Sequence, residues 1–402
     1  MPVAALTFNE EHALSRLLRF LAVEGVTGQE KEIGEAVMRD LVESGVPRPA
    51  IVFDQANERI ELSTEIGNLI VKLPGTRPGP RLLFMTHLDT VPLCAGAEPA
   101  QKGNRVISIS EDRTALGGDN RTGVAVLATL AATLLEFQPP HPPLTLLFTV
   151  REESGLWGAR NVSLDDLGHP VMGFNVDGQA ADEFTVGAVG AERWEVEIEG
   201  RAAHAGVHPE EGISATMIAA LALADVYRGG WFGKIKKSGK VGTSNVGSFG
   251  GIDGLSAGEA TNVVTDYVHI KGESRSHNSR FVKVITRAYR EAFLKAKEKV
   301  TDHKGRKARL EFRARQDYFP FRLSANSPVV KHAVAAAKEA GFTPRLRIGN
   351  GGLDANWLVR HGVPTVTFGA GQHNIHTIDE YVELAEFYQG CAMAIALATY
   401  TP

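Results

Sequence analysis

Arg81-Leu82-Leu83-Phe84-Met85-Thr86-His87-Leu88-Asp89-Thr90-Val91-Pro92 is an apolar run that ends in a histidine and an aspartate. Its first residues read as a buried strand, and residues i and i+2 of a strand point to the same side. His87 and Asp89 therefore share a face. A metal-ligating imidazole usually donates its second ring N–H to a carboxylate, which fixes the tautomer and raises the basicity of the ligating nitrogen. Asp89 is placed to be that carboxylate. A polar strand end followed by a turn at Pro92 fits the same residues, so this stretch alone leaves both readings open.

On either side of it the chain alternates helices and strands. Upstream, Asn9 caps a helix whose first turn holds Glu10 and Glu11 and whose apolar stripe is Leu14, Leu17, Leu18 and Leu21. A second helix is expected over 29–44, and strands over 51–53 and 67–73. Downstream come an apolar helix over 122–137 and strands over 144–150 and 171–176. Such alternation predicts an α/β fold with a mostly parallel sheet flanked by helices.

Near Gly190 the texture changes. Trp194-Glu195-Val196-Glu197-Ile198-Glu199 alternates apolar and charged residues, as in an antiparallel strand with one wet face. A helix over 213–228, strands over 241–248 and 263–272, a helix over 279–300 and a strand over 308–314 complete a β-α-β-β-α-β order, the ferredoxin-like unit. After Tyr318-Phe319-Pro320 the α/β rhythm returns, with helices over 328–340, 354–360 and about 380–399 and a strand over 364–368. The expected division is a first domain made of 1–190 and 317–402, interrupted by an α+β domain at 191–316. A chain of 402 residues exceeds the size at which one core usually stops growing, about 250–300 residues, which agrees with two domains.

Composition narrows the function. With 43% hydrophobic residues, 22% charged residues and a formal net charge of -4, the chain has no general attraction for nucleic acid or anionic membranes. The lysine-rich stretches 234–240 and 295–307 lack interleaved aromatics and read as solvated faces. Cys94 and Cys391 are the only cysteines, so any metal must sit on His, Asp and Glu. The N-terminus shows no basic segment followed by an apolar core, and no run is long enough to span a bilayer; a cytoplasmic location is the expectation.

Acidic and histidine residues recur where an open α/β sheet places its ligands, at strand ends and Gly-rich turns. Gly117-Gly118-Asp119-Asn120-Arg121-Thr122-Gly123 opens the helix at 122, and a plain helix cap would look the same. Arg151-Glu152-Glu153-Ser154-Gly155 follows the strand ending at Val150 and could be an acidic loop. Val176-Asp177-Gly178 ends the next strand and could be a turn. Gln372-His373-Asn374-Ile375-His376 follows the last strand and could be a polar loop. Together they offer more ligands than the three protein groups of a single zinc with an open position. Two metals sharing a carboxylate would use the surplus, leaving one carboxylate to move protons. Adjacent Glu152 and Glu153 fit that division.

His87-Leu88-Asp89-Thr90, Gly118-Asp119-Asn120, Glu152-Glu153, Asp177-Gly178 and His376 resemble, in this order and spacing, the metal-site motifs of the co-catalytic zinc peptidases that include peptidase T, carboxypeptidase G and the aminoacylases. The resemblance covers nearly the whole chain. It implies a zinc exopeptidase-like catalytic domain with an inserted lid and dimerisation domain. It implies two Zn2+ per subunit, with Co2+ or Mn2+ as substitutes. His87 and Asp177 would hold one metal, Glu153 and His376 the other, and Asp119 would bridge them. Glu152 would be the general base and Asp89 would orient His87. The peptide bond after Asp119 would be cis, and Asn120 stands where many relatives have a second aspartate.

Gly200-Arg201-Ala202-Ala203-His204-Ala205-Gly206 resembles the inserted-domain motif whose histidine binds the substrate carbonyl or its oxyanion, and Asn262 and Arg275 match positions that touch substrate. The resemblance therefore implies a metallo-exopeptidase acting on short peptides. An aspartate at the position of Asp177 points to an aminopeptidase of tripeptidase type. A related amidohydrolase acting on N-acyl amino acids, or a carboxypeptidase, is the alternative. A homodimer through the inserted domain is implied as well.

Overall fold

The computed structural model describes residues 8–251, 255–258 and 260–401. The reading of the extreme N-terminus falls on residues 1–7, outside the described residues. The chain divides into two compact units, one formed by Met1–Ala188 with Arg322–Pro402 and the other by Val189–Phe321. The first boundary falls at the end of strand Glu183–Ala188, and the last long strand of the second unit, Arg309–Tyr318, runs beyond the predicted 308–314.

In the first unit a central sheet runs in the order Ile51–Phe53, Leu69–Leu73, Leu144–Thr149, Leu82–His87, Met172–Val176, Thr365–Phe368, Glu183–Ala188, with Arg345–Ile348 also beside the last. Its middle is parallel: Leu82–His87 pairs in parallel with both Leu144–Thr149 and Met172–Val176, and the latter with Thr365–Phe368. These strands read as unbroken apolar runs because both faces are covered. Phe84, Phe148 and Phe174 are all fully buried among the helices Glu10–Leu21, Lys31–Glu43, Gly118–Phe137, Pro328–Glu339 and Leu384–Thr399.

Sequence periodicity did not reveal everything in this unit. A separate four-stranded sheet joins Pro99–Lys102, Arg105–Ser108, Tyr381–Glu383 and Gln372–His373. Its register, Val382 opposite Val106, ties the loop carrying His376 to a segment far back in the chain.

The second unit is a five-stranded antiparallel sheet in the order Gly233–Lys237, Lys240–Gly250, Tyr267–Ser276, Gly190–Glu199, Arg309–Tyr318. Helices Ala215–Arg228 and Ser279–Lys297 pack on it around Trp194, Val196, Ile198 and Tyr289. The β-α-β-β-α-β order is present with one strand more. The lysine-rich stretch read as a solvated face is the edge strand Gly233–Lys237, in which only Ile235 is buried and Lys234 and Lys236 point outward. Lysines on an edge strand discourage pairing with other chains. Among the described residues no helix is long and apolar enough to cross a membrane.

Candidate active site

Four segments of the first unit end at the carboxyl side of its parallel strands, the place where open α/β sheets hold ligands. His87 is the last residue of Leu82–His87, and its register partner is Thr149, just ahead of Arg151-Glu152-Glu153. Asp177 follows Met172–Val176, and the loop to His376 follows Thr365–Phe368. Helix Gly118–Phe137 adds Asp119 from its first turn, where the backbone is not yet helical and the Asp119–Asn120 peptide is cis, as the resemblance implied.

These segments converge. Ligand atoms lie within 4.8 Å of one another in three groups, His87 with Asp119 and Asp177, Asp119 with Glu153 and His376, and His87 with Glu152 and Glu153. Asp119 joins the first two groups through different oxygens: Oδ1 is 3.2 Å from Nε2 of His87 and Oδ2 is 3.2 Å from Nε2 of His376. Nε2 of His376 is also 2.9 Å from Oε1 of Glu153.

The charge balance fits bound cations. Burial pushes Glu152 well above the usual carboxylate range, with Glu153, Asp177 and Asp354 adding to it. Burial likewise pushes Glu153 up to about 7 and Asp177 up to about 6, the latter helped by nearby Asp119. Hydrogen bonds donated to the Asp119 and Glu153 carboxylates push His376 up to about 10. His87 is raised although burial opposes it, because Asp119 and Asp89 favour its charged form. Against the same opposition the two histidines hold Asp119 below its ordinary value. Carboxylates gathered this closely cannot all ionise beside only two imidazoles, and divalent cations would supply the missing charge. Imidazole nitrogen with carboxylate oxygen suits zinc, cobalt or manganese.

Asp89 is fully buried and belongs to none of the three ligand groups. Nδ1 of His87 lies 3.0 Å from the Asp89 main-chain oxygen and 3.4 Å from its Oδ1. The Asp89 carboxylate also accepts the main-chain N–H groups of Glu152 at 3.0 Å and Glu153 at 3.1 Å, a task the strand-face reasoning had not anticipated. Asn120 donates to the Val176 carbonyl at 2.7 Å and accepts from the Gly123 N–H at 3.1 Å. An ionised aspartate there could not donate.

Other supporting residues escaped the sequence reading. Glu380 is buried and accepts from the N–H groups of Gly117 at 2.8 Å and Asp119 at 3.0 Å; burial pushes it up to about 7. Gln372 donates to Asp177 Oδ1 at 3.4 Å and accepts from the Thr122 hydroxyl at 3.0 Å. Asp354, buried and pushed up to about 7 by that burial, accepts from the Thr149 hydroxyl. Gln372 opens the stretch Gln372-His373-Asn374-Ile375-His376 that stands out in the sequence, and Asp354 opens the helix expected over 354–360. Nothing marked Glu380.

His204, Asn262 and Arg275 belong to the second unit. His204 is exposed and bridges to Val263, and the Asn262 carbonyl accepts from the Ala205 N–H at 2.8 Å, so the two loops carrying His204 and Asn262 are paired. Arg275 lies in strand Tyr267–Ser276 with its guanidinium 2.8 Å from Glu273, so its charge is already partnered.

Residues 83–400 match the family described as Peptidase family M20/M25/M40. The chain belongs to that family. Its relatives include the Bacillus subtilis (strain 168) protein YqjE, 29% identical over 97% of this chain and 98% of the relative. Among solved structures it is similar to aminopeptidase PepT from Bacillus cereus, with a TM-score of 0.80, 29% identity and 98% of each chain covered. It is also similar to a tripeptidase from Staphylococcus aureus, with a TM-score of 0.85, 27% identity and 98% of each chain covered. Family membership makes this chain a peptide-bond hydrolase, and the histidine and carboxylate cluster is its candidate metal site.

Proposed function

We propose that the chain is a two-metal exopeptidase that removes the N-terminal residue from short peptides. The observation that carries this reading is the pair of Asp119 oxygens, each 3.2 Å from the Nε2 of a different histidine. A carboxylate aimed at two ligand nitrogens is what a bridge between two cations requires. In this reading His87 and Asp177 hold one ion, Glu153 and His376 the other, and Asp119 both. Bound there, two zinc ions would supply Lewis acidity toward the scissile carbonyl and lower the pKa of water.

The protein's own groups do the rest. Among the described residues the Glu152 side chain makes no hydrogen bond to either histidine, whereas Glu153 bonds His376, which supports Glu152 as the group free to move protons. Glu152 accepts the proton of the attacking water and passes it to the departing amine. Asp89 keeps His87 oriented. His204 donates to the oxyanion that develops on the carbonyl, while Asn262 and Arg275 contact the substrate. The similarity to an aminopeptidase and a tripeptidase supports N-terminal cleavage. Association as a homodimer through the inserted domain and a cytoplasmic location belong to the same reading; light scattering of the purified protein tests the first.

The experiment is a panel of free di- and tripeptides beside N-acyl amino acids and N-blocked peptides, run before and after chelation. Free peptides should lose their N-terminal residue, and chelation should abolish turnover until Zn2+, Co2+ or Mn2+ is restored. Cleavage of N-blocked substrates alone would exclude aminopeptidase action.

A further inference from the structure

Three consecutive main-chain N–H groups at the site each meet a buried carboxylate oxygen. Arg151 donates to Oε1 of Glu30 at 3.0 Å, Glu152 to Oδ1 of Asp89 at 3.0 Å, and Glu153 to Oδ2 of Asp89 at 3.1 Å. The turn they form is not one the chain adopts unaided, because Arg151 has φ +53, the left-handed region that residues other than glycine seldom occupy. Glu30 is fully exposed to none of the solvent: its relative accessibility is 0%, and among the described residues its Oε2 has no hydrogen-bond partner. A carboxylate in such a place carries a desolvation cost that a neutral side chain would avoid.

The segment carrying Glu30 is itself fixed from two sides. Arg121, buried and one residue after the cis peptide, donates to the carbonyls of Phe20 at 3.1 Å and Val23 at 3.2 Å, and its charge acts on Glu30 and Asp89. Thr90, just past His87 and Asp89, pairs with the same segment, accepting from the Thr27 N–H at 2.9 Å and donating to the Gly25 carbonyl at 3.1 Å. Gly28, whose N–H reaches Glu30 Oε1 at 2.7 Å, has φ +92, and a Cβ there would lie 2.2 Å from Nη2 of Arg151. This segment is shaped to receive the Arg151 turn.

We propose that Glu30 is a positioning residue for peptide hydrolysis, holding the Arg151 peptide so that Glu152 leaves the main chain toward the attacking water. The proposal rests on the reading of Glu152 as the proton carrier. Glu30 touches no substrate and belongs to no ligand group; it acts through the backbone that Glu152 shares.

Glu30→Ala, Glu30→Asp, Glu30→Gln and Glu152→Ala are compared on a free tripeptide, with metal content and amide hydrogen exchange of the 150–156 segment measured in parallel. Glutamine keeps an acceptor oxygen at the same reach, whereas aspartate is one methylene too short. Glu30→Ala and Glu30→Asp should each lower kcat by about 10- to 100-fold, the effect of a misplaced catalytic group. KM should stay within about threefold and metal content should match the wild type. Exchange at Arg151–Glu153 should quicken, and Glu30→Gln should restore kcat to within about threefold of the wild type. Wild-type kcat in Glu30→Ala and Glu30→Asp beside an inactive, fully metallated Glu152→Ala would overturn the proposal. So would a loss of activity that only tracks loss of metal. Turnover by Glu152→Ala within about tenfold of the wild type would instead overturn the reading of Glu152. Should Glu30→Ala fail to fold, the contrast between aspartate and glutamine decides the question.

Discussion

Glu152 and Glu153 are neighbours in sequence, yet among the described residues only Glu153 hydrogen-bonds an imidazole, at 2.9 Å from His376. That difference divides their expected mutant behaviour. Glu152→Ala should keep two metals per chain while kcat falls by about 10²–10⁴, the usual contribution of a positioned acid–base group. Glu153→Ala should retain only one tightly held metal. Metal analysis beside steady-state kinetics checks both, and equal metal loss in the two variants would show the division to be wrong. These motifs stand out in the sequence because most of them sit at a strand end or helix start that local patterning reveals, while the roles of their residues come from the resemblance alone. Glu30 does not stand out. Between Gln29 and Lys31 it looks like any acid near a helix start, and its partner at Arg151 becomes visible only when the strand Leu144–Thr149 delivers that turn.

At the scale of elements, the helix Gly118–Phe137 must approach the strand ends closely enough for Asp119 to reach both histidines. Gly123 permits this: a Cβ there would lie 2.2 Å from the Thr86 hydroxyl and 2.6 Å from the Val176 carbonyl. Gly123→Ala should therefore cost about 1–3 kcal/mol, as overpacking does, read as a lower urea midpoint. An unchanged midpoint would mean that the helix can shift at no cost. Glu380 holds the start of the same helix through two N–H groups, so Glu380→Ala should weaken metal binding about 10- to 100-fold, the range seen when groups behind ligands are removed. Competition against a chelator measures it, and wild-type affinity would argue that Asp119 needs no such support. The alternation of helix and strand made the parallel core readable. The four-stranded sheet that carries Glu380 beside Tyr381–Glu383 was unreadable, because its strands are two to four residues long and its register joins Val106 to Val382. The edge strand Gly233–Lys237 was hidden for another reason: with Ile235 its only buried residue, it has too little apolar alternation to distinguish it from a run of charge.

For the whole molecule, the change at Gly190 from unbroken apolar strands to alternating ones was visible because a sheet buried on both faces and a sheet wet on one face select different side chains. The buried carboxylates, by contrast, have a consequence that no local pattern discloses. Glu30, Glu153, Asp354 and Glu380 are pushed up to about 7 and Asp177 up to about 6, from ordinary values of 4.5 for glutamate and 3.8 for aspartate. Between those ordinary values and pH 7 the folded, metal-free chain keeps protons that the unfolded chain has released, so its stability falls as pH rises through that window. His376, pushed up to about 10 from 6.5, acts in the same direction: its contribution is complete below 6.5 and is lost as pH rises toward 10. Asp119 is shifted the other way, and its contribution, present above 3.8, is lost only as the pH falls below that value. From about pH 5 to 9 the shifts at the site therefore agree in sign. The chelated protein should unfold at progressively lower temperature across that range. Added Zn2+ binds the deprotonated ligands and should raise the unfolding temperature more at pH 8 than at pH 5. Thermal unfolding followed by calorimetry at each pH, with and without Zn2+, makes the comparison. A metal-free protein that grows more stable toward pH 8 would contradict the charge balance on which the two-metal reading depends.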